Sequence, residues 1–266
     1  MIIYLIILII LSLFLFYKIP KKHHNFSIPN YRSAHTKKKI NSGGVPIIIS
    51  FIIFFFIENF KLDVSFFFFL TNILMILIYG YIDDAINLNQ KIKFSIQCYL
   101  SMSIIIYLYF LDYELHTSEI IIIFIFSIFF INTINFIDGS DGNLSLNLIF
   151  ILSNLYIYFF TETYSNLILF IILSLSIFLI FFNFPPAKIF LGESGSSFLS
   201  YVTLLILLFL YLENNINILA LFLLFSYSFS DVILTLIYRI FKYNLNASKG
   251  HRDHIYQIYT DKYGHK

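Results

Sequence analysis

The sequence has no tryptophan and a single cysteine, Cys98, among its 266 residues, and only 12% of them are charged. A lone cysteine excludes an intrachain disulfide, a paired-thiol redox motif and a cysteine-based zinc site. The shortage of charge excludes an ordinary soluble domain, which carries about 25% charged residues. No internal repeat is visible, no stretch reads as a soluble domain, and no nucleic-acid partner is expected. The opening run MIIYLIILIILSLFLFY lacks the basic lead-in of a secretory signal, and its lysines, Lys18, Lys21 and Lys22, follow it. It is read as an uncleaved first membrane span with the N-terminus outside.

What is abundant is hydrocarbon. The chain is 59% hydrophobic, with 34 Phe and 20 Tyr. Apolar runs of spanning length recur along it, so the expected fold is all-α: one polytopic helical membrane domain, residues 1–266, with about nine spans. They fall roughly at 1–17, 45–57, 62–82, 94–111, 119–137, 143–160, 166–182, 197–212 and 216–241, followed by a tail over 242–266. Sixteen of the seventeen Lys and Arg residues lie in or beside Lys18–Gly44, Asp83–Lys93, Asp138–Gly142, Asn183–Ser196 and the segment after Phe241; Lys61 is the exception. Positive residues mark the cytoplasmic side. These five segments are therefore expected inside a cytoplasmic (inner) membrane, and the short acidic turns between them outside.

The polar residues of those five segments are unusual. Asn132–Gly142, NTINFIDGSDG, closes a long apolar run. Read as helix, Asn132, Asn135 and Asp138 form one stripe that Asp141 extends. Two amides, two carboxylates and two glycines at a membrane boundary point to a phosphate–metal site. Asp83 and Asp84 stand directly after a span, where adjacent like charges repel unless a cation is near. Glu193 lies among Gly192, Ser194, Gly195 and Ser196 at the mouth of the next helix, a setting that favours anions. The first loop carries Arg32, His35 and Lys38 and ends in Gly43-Gly44, a candidate phosphate loop. Asp231 sits inside the last span, and His251, Arg252 and His254 form a cationic cluster suited to a pyrophosphate. Each segment has a bland reading as well: a topogenic loop, a helix cap, a turn. Together they sort the acids and bases to one face.

The same residues resemble the polyprenyl-phosphate N-acetylhexosamine-1-phosphate transferases. The resemblance runs from about residue 20 to 257. It is carried by Arg32…His35…Gly43-Gly44, Asp83-Asp84, N-x-x-N-x-x-D-G-x-D-G at Asn132–Gly142, N-x-P-P-A-K-x-F-x-G-E-S-G-S at Asn183–Ser196, Asp231, Arg239 and HRDHIYQ. It implies that an N-acetylaminosugar-1-phosphate passes from a UDP-N-acetylaminosugar to undecaprenyl phosphate in the lipid bilayer, with Mg2+ (or Mn2+) as cofactor. It implies Asp84, Asp141 and Glu193 as metal ligands, and catalytic work by Asp83, Asp84, Asp138, Asp141 and His254. Arg32, His35, Lys38, Gly43, Gly44, Asn132, Asn135, Asn183 and Arg252 would bind substrate or phosphate. Family members often pair as homodimers. The HRDHIYQ wording looks like the branch that initiates surface (O-antigen-like) polysaccharide, beside members that serve the cell wall. Two departures stand out. Glu193 replaces the usual Asp, and the chain stops at Lys266, before the family's last one or two spans. Two rival expectations remain at this point: a non-catalytic homologue acting as an assembly partner, and a transporter. The gathering of the acids at one face and the lack of an inverted repeat count against the transporter.

Overall fold

The computed structural model describes residues 2–18, 25–27, 38–58, 63–159, 165–214, 218–243 and 254–263. Eleven α-helices follow in order among the described residues: α1 (Ile2–Lys18), α2 (Gly44–Glu58), α3 (Val64–Ile86), α4 (Gln90–Phe110), α5 (Thr117–Ile137), α6 (Asn143–Tyr158), α7 (Ser165–Phe178), α8 (Gly192–Asn214), α9 (Ile218–Leu224), α10 (Ser226–Tyr243) and α11 (Ile255–Tyr263). A π-helical turn, Leu179–Asn183, continues α7. Five of the helices, counting α7 with its π turn, are long and apolar enough to cross a membrane, and α2 and α6 are shorter apolar helices. In hydrocarbon every backbone polar group needs an internal partner, which a helix provides for itself. Side chains such as Phe150 and Leu223, 68% and 74% exposed, then face lipid. The protein is a helical membrane protein.

Local chemistry sets the helix ends. Asp63 caps α3 by accepting from the Phe66 N–H at 2.8 Å, and Asn89 caps α4 by accepting from Ile92 at 2.9 Å. Asn87, in the left-handed region at φ 52°, closes α3. At the start of α5 the His116 N–H donates to the Glu119 carboxylate at 2.8 Å. The centre of the bundle is α8. Its residues Tyr201, Leu204, Ile206 and Leu210 are fully buried, and α2, α3 and α5 pack around it.

Three details depart from the expectations. The fold is not purely α. Strands β1 (Phe26–Ser27), β2 (Lys39–Asn41) and β3 (Ile189–Phe190) form a small sheet in the order β1-β2-β3. β1 and β2 run antiparallel with Phe26 opposite Ile40, while β2 and β3 run parallel with Ile40 opposite Ile189. Strands of two or three residues leave no periodicity to read. The final expected span, 216–241, is two helices that meet at Phe225. The tail after it carries its own short helix, α11.

Candidate active site

The site begins with close backbone approach. A Cβ on Gly80 of α3 would lie 2.2 Å from Ser194 Cα, and one on Gly44 of α2 would lie 2.2 Å from Gly195. Both are far inside van der Waals contact, so α3 and α2 press against the first turn of α8 only because these positions have no side chain. The last turn of α3 thereby arrives at the N-terminus of α8, carrying Asp83 and Asp84.

The two adjacent acids part company. Asp84, 7% exposed, turns to α8. It accepts from the Glu193 N–H at 2.8 Å, the Ser194 hydroxyl at 3.3 Å and the Asn41 side-chain amide at 2.8 Å. It thus caps a helix it does not belong to, where the helix dipole favours negative charge. Gly192 is held at φ +74°, and a Cβ there would fall 2.5 Å from an Asp84 oxygen, so both conformation and space require glycine. Asp83 turns the other way, accepting from Lys93 Nζ at 2.6 Å and from the Leu88 N–H at 2.9 Å. Facing different partners relieves the repulsion of neighbouring carboxylates.

Glu193 collects partners from four places. Its Oε1 accepts from Asn135 at 2.9 Å, Ser197 at 3.0 Å and Tyr79 at 3.3 Å, and its Oε2 lies 3.4 Å from Lys93 Nζ. Asp138, just past the end of α5, shares this field. Burial holds its carboxyl well above the usual carboxylate range, and the charges of Asp84 and Glu193 push it further. The Asn135 Oδ1 is buried without a partner.

These groups fit a hard divalent cation in chemistry: oxygen donors only, excess negative charge and an orphaned carbonyl oxygen beside Glu193. They do not form a closed coordination shell. Among the described residues no three His, Cys, Asp or Glu side chains gather closely enough to hold an ion. Magnesium needs no such cluster, because it keeps several waters and binds one or two carboxylates together with substrate phosphates. The expected trio of Asp84, Asp141 and Glu193 is accordingly not brought together. The helical stripe stops at Ile137, and Asp141, in the turn beyond, bonds the Ala187 N–H at 2.8 Å and pairs with Lys39 at 3.6 Å. There it ties the turn to the proline loop.

Other expected binding residues are engaged within the fold. Asn132 exchanges hydrogen bonds with Gln97 of α4, at 2.9 and 3.1 Å, and so joins α4 to α5. Asn183 accepts from the Gly142 N–H at 3.1 Å and donates to the Ile189 carbonyl at 2.9 Å, a buried strut between two loops. The Gly43 and Gly44 N–H groups donate to the Phe190 and Leu191 carbonyls, both at 2.8 Å, so they are not offered to a phosphate. A Cβ on Gly43 would also strike the Phe178 ring at 2.6 Å; packing explains the pair. Lys38 rests its ammonium 4.1 Å from the centre of the Phe26 ring. His254 meets Asp231 with Nδ1···Oδ2 at 2.9 Å. Arg32, His35 and Arg252 lie outside the described residues.

Sequence reasoning did not single out Asn41, Tyr79, Lys93 or Ser197. Lys93 lay within a flagged segment, ten residues after Asp83, but helical spacing does not place those two side chains together, because they belong to different helices. Ser197 had a signal: it is one helical turn from Glu193.

Residues 66–211, more than half of the chain, match the model of the family described as "Glycosyl transferase family 4". A protein of Bacillus subtilis (strain 168), "Probable undecaprenyl-phosphate N-acetylglucosaminyl 1-phosphate transferase", is 28% identical over 201 residues, covering 69% of this chain. The chain spans 55% of that relative's length. The matched region runs from α3 to α8 and contains Asp83, Asp84, Lys93, Asn135, Asp138 and Glu193.

Proposed function

The chain belongs to glycosyl transferase family 4, and from that premise we propose that it transfers an N-acetylaminosugar-1-phosphate from a UDP-sugar to undecaprenyl phosphate. The products are a polyprenyl-pyrophosphoryl sugar and UMP. The name of the Bacillus relative supports both the acceptor and the reaction class. The observation that carries the reading is the meeting of Asp83 and Asp84 from α3, Asn135 from α5, Asp138 just beyond it and Glu193 from α8, beside Lys93 of α4. Such a reaction fits the first membrane step of surface-polysaccharide or cell-wall synthesis, with the site at the cytoplasmic face.

In the proposed step an acceptor phosphate oxygen attacks the sugar-bearing phosphorus of the donor. The new P–O bond forms as the anhydride bond to UMP breaks, and UMP leaves with that electron pair. One phosphoanhydride replaces another, so the reaction is reversible. A phosphate monoester has its second pKa near ~6; the acceptor is already an anion at neutral pH and needs little help from a base. Direct attack is therefore favoured over a covalent phospho-aspartate. Asp83 positions the acceptor, and Lys93, between Asp83 and Glu193, offers charge to a phosphate. Mg2+ or Mn2+, when bound, offsets the repulsion between the two polyanions. Glu193 and Asp84 would hold it, with the Asn135 carbonyl oxygen close by.

The test is an assay of membranes containing the protein with undecaprenyl phosphate and a series of UDP-N-acetylaminosugars. The expected result is a lipid-linked aminosugar of matching mass and equimolar UMP, abolished by a chelator and restored by Mg2+ or Mn2+. Binding of UDP-sugar with no UMP released from any donor would overturn the proposal and leave the assembly-partner reading.

A further inference from the structure

Asp231 lies within α10 at 2% exposure, outside the matched region and apart from the network around Glu193. A carboxylate inside a hydrophobic bundle is costly unless its oxygens are used. Here both are. Oδ2 lies 2.9 Å from His254 Nδ1, and Oδ1 accepts the backbone N–H of Ile255 at 2.7 Å. One side chain therefore grips the ring of one residue and the main chain of the next, at the start of α11. The His254 ring packs in turn on Phe136, with centroids 5.4 Å apart. Phe136 directly follows Asn135 in the stretch that leads to Asp138. In the first turn of α11, Gln257 is also buried, and so is Arg239 on α10.

We propose that Asp231 is a positioning residue. It seats the segment beginning at His254 on the membrane helices and holds the imidazole by Nδ1, so that the ring meets a phosphate of the substrate through Nε2. The carboxylate selects which nitrogen faces the substrate, as an outer partner does for a ligating histidine. The phosphate role rests on the function proposed above; the pairing with Asp231 does not.

Two measurements on the full chain in lipid nanodiscs test this. The first is nitrogen-15 NMR of labelled histidine, with the His254 signal identified by its loss in His254→Gln. Wild type is expected to show a protonated Nδ1 that changes in Asp231→Asn. An unprotonated Nδ1 in wild type overturns the pairing, whether or not Asp231→Asn folds. The second is transfer activity of Asp231→Asn, His254→Gln and the double variant. Each single change is expected to cost roughly tenfold or more, and the double variant to be no slower than His254→Gln. Losses that multiply would mean that Asp231 does not act through His254, and would overturn the positioning role. If wild type transfers no sugar phosphate while Nδ1 is protonated, the proposed function fails and the pairing stands.

Discussion

The two ends of α8 are held by different kinds of contact. At its start, apart from Ser197 one turn along the helix, the side chains that bond Glu193 and Asp84 from other elements come from 43 to 114 positions away: Asn41, Tyr79, Lys93 and Asn135. At the opposite end of the bundle, caps are local. Asp63 bonds Phe66, and Glu119 bonds His116, each three residues apart. Long-range polar pairs exist there too, Tyr113 with Glu213 and Asn166 with Glu58. The interior at that end, however, is aromatic: Phe69 lies against Tyr107 and Tyr201, and Phe209 against Tyr107 and Tyr113. An apolar interior is the cheaper way to fill a membrane bundle. Burial raises the energy of a carboxylate and neighbouring carboxylates raise it further, as Asp138 shows. That cost is tolerated at one end only, and sites of chemistry are where such arrangements collect.

Variants at each end sharpen this contrast. The largest effect is expected from Asp84→Asn, which should slow transfer at least ~100-fold, roughly 3 kcal/mol of barrier. The amide oxygen can still accept from the Glu193 N–H, so the fold should persist. UMP release is the measurement, and turnover within a few-fold of wild type would separate Asp84 from the chemistry.

Next comes Gly80→Ala. Its methyl would meet the Ser194 backbone, and overpacking of this kind costs about 1–3 kcal/mol. Thermal unfolding in detergent should show a clear drop; an unmoved transition would mean that α3 and α8 can separate freely.

Glu193→Asp tests the departure from the family's usual acid. The shorter side chain withdraws from Asn135, Ser197, Tyr79 and Lys93, and a loss of roughly tenfold, about 1.4 kcal/mol, is expected. Faster turnover would show instead that the supporting residues are not tuned to glutamate.

The smallest effect belongs to the far end. Asp63→Ala removes the α3 cap at a cost of about 1 kcal/mol in stability, with transfer by the folded fraction unchanged. A large loss of activity there would erase the distinction between the two ends.

Much of the helical frame is legible in the sequence, because span length and hydrophobicity add up along the chain without reference to partners. The expected span at 119–137 corresponds to α5 at Thr117–Ile137, and that at 62–82 to α3 at Val64–Ile86. Asn135 and Glu193 are candidates from their spacing and their place at the ends of spans, and the structure joins them at 2.9 Å. Residues that look alike along the chain are placed differently in three dimensions. Asn132 looked equivalent to Asn135, yet it faces Gln97 and joins two helices. Gly43-Gly44 looked like a phosphate loop, yet its N–H groups extend a sheet and its lack of side chains admits α8 and the Phe178 ring.

By itself, then, the sequence determined that this is a helical membrane protein and which polar residues were too costly to be incidental, since both follow from transfer energies of individual side chains. Only the tertiary structure decided how those residues divide their work. Asp83 went to Lys93, Asp84 to the start of α8, Asp141 to Lys39 and Asp231 to His254. A carboxylate's partner depends on which helices the glycines allow to touch, and that is a property of packing that no local pattern along the chain encodes.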